Sequence, residues 1–203
     1  LNEGYFIVQD YYEDPFLISN RKINMRYYFL IVCDRDKIKG YIHKNGFMYY
    51  TPKEYKAGTL DFKEHITTGY IDRKVYEENP LTIEDFNKYL EENESGSSKL
   101  FFNRVCNLFN KVMLALVDKI CKLDHMKENT LFQLFGADIA PNSELKPKLM
   151  EINKGPDLGA KDKRDGEVKN KVASDTMDIV DTEGDYVLKS KNQFVEIFSK
   201  KRN

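Results

Sequence analysis

Three oxygen-bearing side chains sit close together in "FGADIAPNSELKPKLMEIN", residues 135–153. Asp138 lies in the first of two β-like runs, Glu151 and Asn153 in the second. Residues i and i+2 of a strand share a face, so Glu151 and Asn153 point the same way. "PNSELKP" between the runs reads as the turn of a hairpin, which would place Asp138 across the ladder from Glu151 or Asn153. Two carboxylates converging on a partly buried face are costly without a cation. Magnesium with nucleotide phosphates meets that cost, because it takes one or two carboxylates and completes its shell with substrate oxygens. A solvent-facing polar row on an edge hairpin would leave the same spacing, and periodicity alone does not separate the two.

The elements that must position these groups can be read along the chain. Residues 5–9, "YFIVQ", and 25–33, "MRYYFLIVC", are rich in β-branched and aromatic residues and predict strands, with Pro15 and "SNRK" marking a loop between them. "CDRDKIKGYI" predicts a turn into a third strand, and "KNG", Lys44 to Gly46, a hairpin turn into "FMYYT". Residues 52–80 have weak periodicity and predict a loop-rich region. "PLTIEDFNKYLEE" opens with a capping-box pattern, Thr82 to Asp85, and predicts a short helix. From Lys99 to Leu123, Phe102, Val105, Cys106, Phe109, Val112, Met113, Leu116, Val117 and Ile120 recur at helical spacing, the mark of an amphipathic helix packed on a sheet. After the 135–153 hairpin, "GPDLGAKDKRDG" is a Gly/Lys/Asp-rich loop. "EVKNKVASDTMDIVD" predicts a helix, and the basic tail "QFVEIFSKKRN" predicts another. Strands joined by hairpins and interspersed with helices predict an α+β fold with a largely antiparallel sheet flanked by helices.

Composition narrows the function classes. The 203 residues, 41% of them hydrophobic, suffice for a sizeable core and suggest one domain with appendages. A formal net charge of −1 offers no broad basic field for nucleic acid, and "SKKRN" reads as a solvated end. The longest apolar runs, "YYFLIVC" and "VMLALV", are too short to span a bilayer. Cys33, Cys106 and Cys121 lie far apart without CxxC spacing and predict reduced core thiols of an intracellular protein. The chain opens at Leu1 directly in a β-rich run, which suggests a piece of a longer protein.

"FQLFGADI", residues 132–139, followed by "LMEINKGPDL", residues 149–158, resembles the closing signature of the tubulin–tyrosine ligase-like family, whose fold is ATP-grasp. The likeness runs on through "DGEVKNKVASDTMDIV", residues 165–180. Upstream, "FIVQDYYEDPFLI" resembles the family's strand and hinge around adenine, "NRKINMRYYFLIV" its lysine–arginine strand, and "HITTGYI" its histidine–threonine segment. Several motifs in the family's order, covering nearly all of residues 4–181, are far more specific than any one alone. The resemblance implies that residues 1–181 are the carboxy-terminal part of an ATP-grasp domain, with residues 182–203 as a helical basic tail. It implies ATP and Mg2+ as cofactors and a cytoplasmic, cytoskeleton-associated setting. It also implies three partners: a protein acceptor with an acidic, tubulin-like tail, a free amino acid, and the remaining half of the ATP-grasp enzyme. In family members an acceptor carboxylate is phosphorylated by ATP, and the amine of an amino acid then displaces phosphate.

Residue by residue, Asp138, Glu151 and Asn153 match the family's magnesium ligands. Lys22 and Arg26 match its cationic pair over phosphate and reacting carboxylate, and at i and i+4 of a strand they share a face. Gln9 and the chain around Tyr11 and Tyr12 match the adenine grip, although core packing would equally explain the two tyrosines. Asn24, His65, Thr67 and Thr68 match positions around the nucleotide. Lys169 matches a lysine that meets the incoming amino acid's carboxylate, or is an exposed helix lysine. The chain departs from the pattern at four places. Asn24 stands for an aspartate, Thr68 for an asparagine, Asp10 for a lysine, and Tyr49 for an arginine that binds the incoming carboxylate in glutamate-adding members. Replacing that arginine removes a bidentate partner. Two functions therefore stand side by side: an ATP-dependent ligase module, and a catalytically degenerate module kept for binding or structure.

Overall fold

The computed structural model describes residues 10–34, 36–69, 71–121, 131–180 and 191–201; the strand expected over residues 5–9, with Gln9, lies outside them. The central element is a 13-residue strand, β2 (Arg21–Cys33), preceded by the two-residue β1 (Leu17–Ile18). Around it lie β3 (Lys37–His43), β4 (Phe47–Tyr50), β5 (Leu131–Pro141), β6 (Pro147–Lys154) and β7 (Phe194–Lys201). These form one sheet in the order β6-β5-β2-β3-β7, with β1 and β4 also against β2 and every pairing antiparallel. Among the described residues of the loop-rich 52–80 region the helices are two single turns, α1 (Phe62–His65) and α2 (Val75–Glu78). The longer helices are α3 (Ile83–Asn93), α4 (Ser97–Leu116) and α5 (Lys163–Val180). No described helix is long and apolar enough to cross a membrane.

Alternation along β2 explains the layering. Ile23, Met25, Tyr27, Phe29 and Ile31 face one way and join a core with Phe86 and Leu90 of α3 and Phe101, Val105, Phe109 and Met113 of α4. Those α4 residues recur at i, i+4, the stripe one face of a helix can bury, and the Phe29 and Phe109 rings lie 5.0 Å apart. On the opposite face, Tyr28, Leu30 and Val32 pack with Val168, Val172 and Ile179 of α5. The first half of that face carries Lys22, Asn24 and Arg26 instead. β2 is therefore apolar wherever a helix covers it and polar where α5 stops. The capping box is present as expected: the Thr82 hydroxyl accepts from Asp85 N–H, and the Asp85 carboxylate accepts from Thr82 N–H.

Three expectations are corrected. "KNG" does not turn a hairpin, because β3 and β4 both run antiparallel to β2: Phe29 pairs with Ile42 and Arg26 with Phe47. Residues 43–46 thus bulge against only Tyr27 and Tyr28, two extra residues in one continuous edge. Gly46 is required there by close approach, since a Cβ would lie 2.0 Å from the Arg26 carbonyl oxygen. Second, the tail expected to be helical forms β7, whose Phe194 to Lys201 pair with His43 to Lys37 of β3. Third, Cys33 and Cys121 are joined as a disulfide with Cα atoms 5.8 Å apart, tying the end of β2 to the segment after α4, and Cys106 alone is a free cysteine among the described residues.

A polar lock fastens α5 to the far side of the sheet. Asp175, fully buried, accepts from Gln193 N–H at 2.9 Å through Oδ2, which also lies 3.2 Å from His43 Nε2. Its other oxygen pairs with Lys171. Burial holds the His43 imidazole below its ordinary pKa, against the upward pull of the Asn45 backbone and Asp175. A histidine whose folded pKa is depressed favours folding when neutral, so this contribution is present above the unfolded value of about 6.5 and is lost as pH falls through it. The melting temperature is expected to drop between about pH 7 and pH 5, and His43→Phe to flatten that part of the profile in a calorimetric pH series. Gly46→Ala should lower stability by about 1–3 kcal/mol or more in urea unfolding, because the clash is with backbone that cannot rotate away.

Candidate functional site

The site grows from one row across three strands. Register places Arg26 of β2 opposite Asp138 of β5, and Asp138 opposite Glu151 of β6. The next row aligns Tyr28, Gly136 and Asn153. The Arg26 guanidinium grips Asp138 with both arms, Nε to Oδ1 at 2.5 Å and NH2 to Oδ2 at 3.0 Å. Asn153 Nδ2 donates to Glu151 Oε1 at 2.7 Å, which leaves the amide oxygen outside that bond. Gly136 makes this possible: a Cβ there would stand 3.0 Å from Arg26 Cδ and NH1. The Asp138 and Arg26 side chains are only 10% and 17% exposed, whereas Glu151 and Asn153 are open to solvent. Burial pushes the Asp138 carboxyl up and the neighbouring Glu151 carboxylate adds to that, against the downward pull of Arg26.

Four residues back along β2, roughly 13 Å, Lys22 begins a second group. Its Nζ donates to the Tyr11 hydroxyl at 3.0 Å and lies 4.7 Å from the centre of that ring. The Tyr11 hydroxyl meets His65 Nδ1 at 2.5 Å, and His65 Nε2 lies 2.8 Å from Thr59 Oγ1, itself 2.7 Å from Glu64 Oε2. These contacts link Lys22, Tyr11, His65, Thr59 and Glu64 in one hydrogen-bonded chain, with Lys22 donating at one end and Glu64 accepting at the other. Burial lowers the Lys22 ammonium from its usual pKa. The Tyr12 hydroxyl is buried without a hydrogen-bond partner, pushed up to about 12 by burial and Asp14, with Lys148 Nζ 4.3 Å from its ring centre. Asn24 turns its Oδ1 to the Met25 N–H at 2.8 Å. Thr68 bridges to Tyr50, Thr67 lies just before it in the loop after α1, and Gln9 lies outside the described residues.

Tyr49 and Lys169 line a small cleft beside Arg26 whose other charged walls are Arg73, Lys161, Asp157 and Asp165. Four cations and two carboxylates line it, with Arg26 paired to Asp138, Arg73 to Asp162, and Lys169 to Asp165 and Asp157. Lys169 is buried, not an exposed helix lysine. Its Nζ donates to Gly159 O at 2.6 Å and pairs with Asp165 at 3.0 Å and Asp157 at 3.5 Å. Asp165 also accepts from Lys161 N–H at 2.8 Å, so the pair clasps the loop before α5. Sequence reasoning passed over Asp165, Arg73, Lys161 and Gly136. A glycine inside a strand pattern was the available signal for Gly136, and the i, i+4 spacing of Asp165 and Lys169 for the clasp.

Among the described residues no set of three or more His, Cys, Asp or Glu side chains could hold a metal ion. The row instead offers two carboxylates and a carboxamide, all oxygen donors, which suits a hard cation that shares its shell with phosphates, as magnesium does. Asp138→Ala would strand the Arg26 guanidinium without its partner. A loss of about 3–5 kcal/mol is expected by chemical denaturation, with Asp138→Asn milder because one hydrogen bond survives.

The model of the Tubulin-tyrosine ligase family matches residues 1–191. A probable tubulin polyglutamylase, TTLL9 of Rattus norvegicus, is 26% identical over 185 residues, 88% of this chain and 39% of that protein. The tubulin polyglutamylase TTLL7 of Xenopus tropicalis is 27% identical over 195 residues, 84% of this chain and 21% of that protein. The chain thus spans well under half the length of these relatives. Among solved structures, the C-terminal domain of K. lactis Pby1, an ATP-grasp enzyme interacting with the mRNA decapping enzyme Dcp2, superposes with a TM-score of 0.67 at 17% identity, over 93% of this chain and 51% of that one. The fold is therefore that of an ATP-grasp domain, α+β with an antiparallel sheet, and the chain belongs to the tubulin-tyrosine ligase family.

Proposed function

We propose that residues 1–181 supply the carboxy-terminal part of an ATP- and Mg2+-dependent ligase that joins an amino acid to a protein carboxylate. The observation that carries this is the row Arg26, Asp138, Glu151, with Asn153 in the adjoining row, on the one face of β2 that α5 leaves open. Asp138, Glu151 and Asn153 would hold Mg2+, which neutralises phosphate charge when bound. Lys22 and Arg26 bring positive charge to the nucleotide's phosphates and to the acceptor carboxylate. An acceptor oxygen forms a bond to the γ-phosphorus as the bond to ADP breaks, giving an acyl phosphate. An amine then bonds to the acyl carbon, phosphate leaves with the electron pair, and the nitrogen gives up its proton. Such transfer needs alignment and charge neutralisation more than covalent help from the protein. Tyr11, Tyr12 and Gln9 belong to the adenine side, His65, Thr67, Thr68 and Asn24 to the nucleotide rim, and Tyr49 and Lys169 to the amino-acid side. The remaining half of the ATP-grasp enzyme completes the site, and β7 extends the sheet beyond β3. The relatives' names, tubulin polyglutamylases, support tubulin as the acceptor; an acidic tail and a cytoplasmic, cytoskeletal setting are what the family resemblance adds to this reading.

The rival reading, a binding module without catalysis, is favoured by the grip of Arg26 on both Asp138 oxygens and by Tyr49 in place of an arginine. Thermal denaturation of the full-length protein separates them. At ATP·Mg2+ a hundredfold above its Kd, a stabilisation of about 2.7 kcal/mol is expected, absent without Mg2+ and absent in Asp138→Ala/Glu151→Ala. A wild-type melting temperature that ATP·Mg2+ leaves unmoved would reject the ligase reading.

A further inference from the structure

Arg26 occupies two sites at once. Its fork holds both oxygens of Asp138, and the same side chain lines the cleft with Arg73, Lys161 and Lys169, its Cζ 5.9 Å from the centre of the Tyr49 ring. A divalent cation that takes Asp138 binds an oxygen that the guanidinium also holds, and must share it through the second lone pair or displace the N–H. It would also bring two charges against the one on Arg26, at a distance where a released guanidinium gains by turning away. The turn would carry the guanidinium past Gly136 and along the Tyr49 ring. Gly136 carries no side chain, and the polar stretch of β2 lies outside the cover of α5.

We infer that Arg26 is an exchangeable counter-ion: it neutralises Asp138 until a divalent cation displaces it, and the freed guanidinium then swings into the cleft to receive an anionic group of the substrate. This rests on the metal role given to Asp138 above and adds a regulation of that site. Cation and anion then bind cooperatively, because the ion that arrives at β5 delivers a positive charge to the cleft, and by linkage the anion strengthens the cation in return. The nucleotide or acceptor oxyanion is met by Arg26 only once the metal is seated, so neither binds productively alone.

The test is Mn2+ binding by the full-length protein, followed by electron paramagnetic resonance with no nucleotide or acceptor present. Wild type, Arg26→Gln, Arg26→Lys and Asp138→Asn are compared, each checked for folding by circular dichroism. Arg26→Gln is expected to bind Mn2+ about tenfold tighter than wild type, the scale of one charge-assisted hydrogen bond. Arg26→Lys distinguishes the fork from mere charge, since lysine keeps the charge but cannot grip both oxygens. It should also tighten binding, and it stands in if Arg26→Gln fails to fold. Arg26→Lys binding Mn2+ no more tightly than wild type, while Asp138→Asn loses the ion, overturns the exchange and leaves the metal reading intact. Mn2+ binding that Asp138→Asn leaves unchanged, or no Mn2+ bound by any form, overturns both.

Discussion

The fork between Arg26 and Asp138 is the constraint around which the open face of the sheet is organised. Two carboxylates, Asp138 and Glu151, are brought side by side by the register of β5 and β6, and the buried one cannot stay charged there without a cation. Arg26 supplies that charge from the neighbouring strand. Breaking such a pair by removing one partner is far costlier than never having built it. Its persistence in the middle of a sheet therefore needs another reason than stability. Its neighbours supply one. Gly136 gives up a side chain to make room for the guanidinium, and α5 ends its coverage at Tyr28, one pleat beyond Arg26. The sheet is shaped to keep this ion pair reachable.

Rigid elements hold the rest of the site. Lys22, Asn24 and Arg26 share a face of one strand that is anchored beneath by the rings of α3 and α4, so their spacing is fixed by the pleat and not by loop conformation. The loop-borne contributors are tied down by polar contacts. His65 sits in a hydrogen-bond chain that runs from Lys22 to the buried Glu64. The loop before α5 is clasped by the pair Asp165 and Lys169. Lys169 lines the cleft and also holds Gly159, Asp165 and Asp157, so it fixes the loop that borders the cleft.

Where local pattern and tertiary pairing agree, the sequence was legible. The i and i+2 spacing of Glu151 and Asn153 could be read directly. Turn residues between two β runs then aligned Asp138 with them, and the hairpin register carries this out. The same logic failed at "KNG", which has the composition of a turn yet forms a bulge, because the open edge of β2 is long enough to pair with β3 and β4 in succession. It failed again at the tail. Phe194, Ile197 and Phe198 stand at i, i+3 and i+4, which mimics a helical stripe. In β7 the register shifts by one residue opposite Gly40 and Tyr41, which puts Phe194 into the α5 core and Phe198 into the α4 core on the other face. A bulge defeats period counting in both directions. The disulfide between Cys33 and Cys121, 88 residues apart, has no local signature at all; the expectation of free thiols followed compartment rules, which say nothing about proximity.

Tyr49 shows how one side chain arranges the charges of a site. It pairs with Asn24 across β2 and β4, and its ring lies beside the Arg26 guanidinium. Burial pushes its phenol up, so at neutral pH it presents a hydroxyl and no charge. A guanidinium at the same position would stand against Arg26, and the two would repel or compete for Asp138. Tyrosine removes that competition and lets Arg26 keep its fork. The other basic residues of the cleft, Arg73, Lys161 and Lys169, are borne by loops and a helix instead of the central sheet, with Arg73 and Lys169 paired to carboxylates. Charge carried on loops adapts to differently shaped anions, whereas charge fixed on a strand selects one geometry. The strand-borne cation that remains, Arg26, is the one placed to select, and it faces Asp138 and the cleft together.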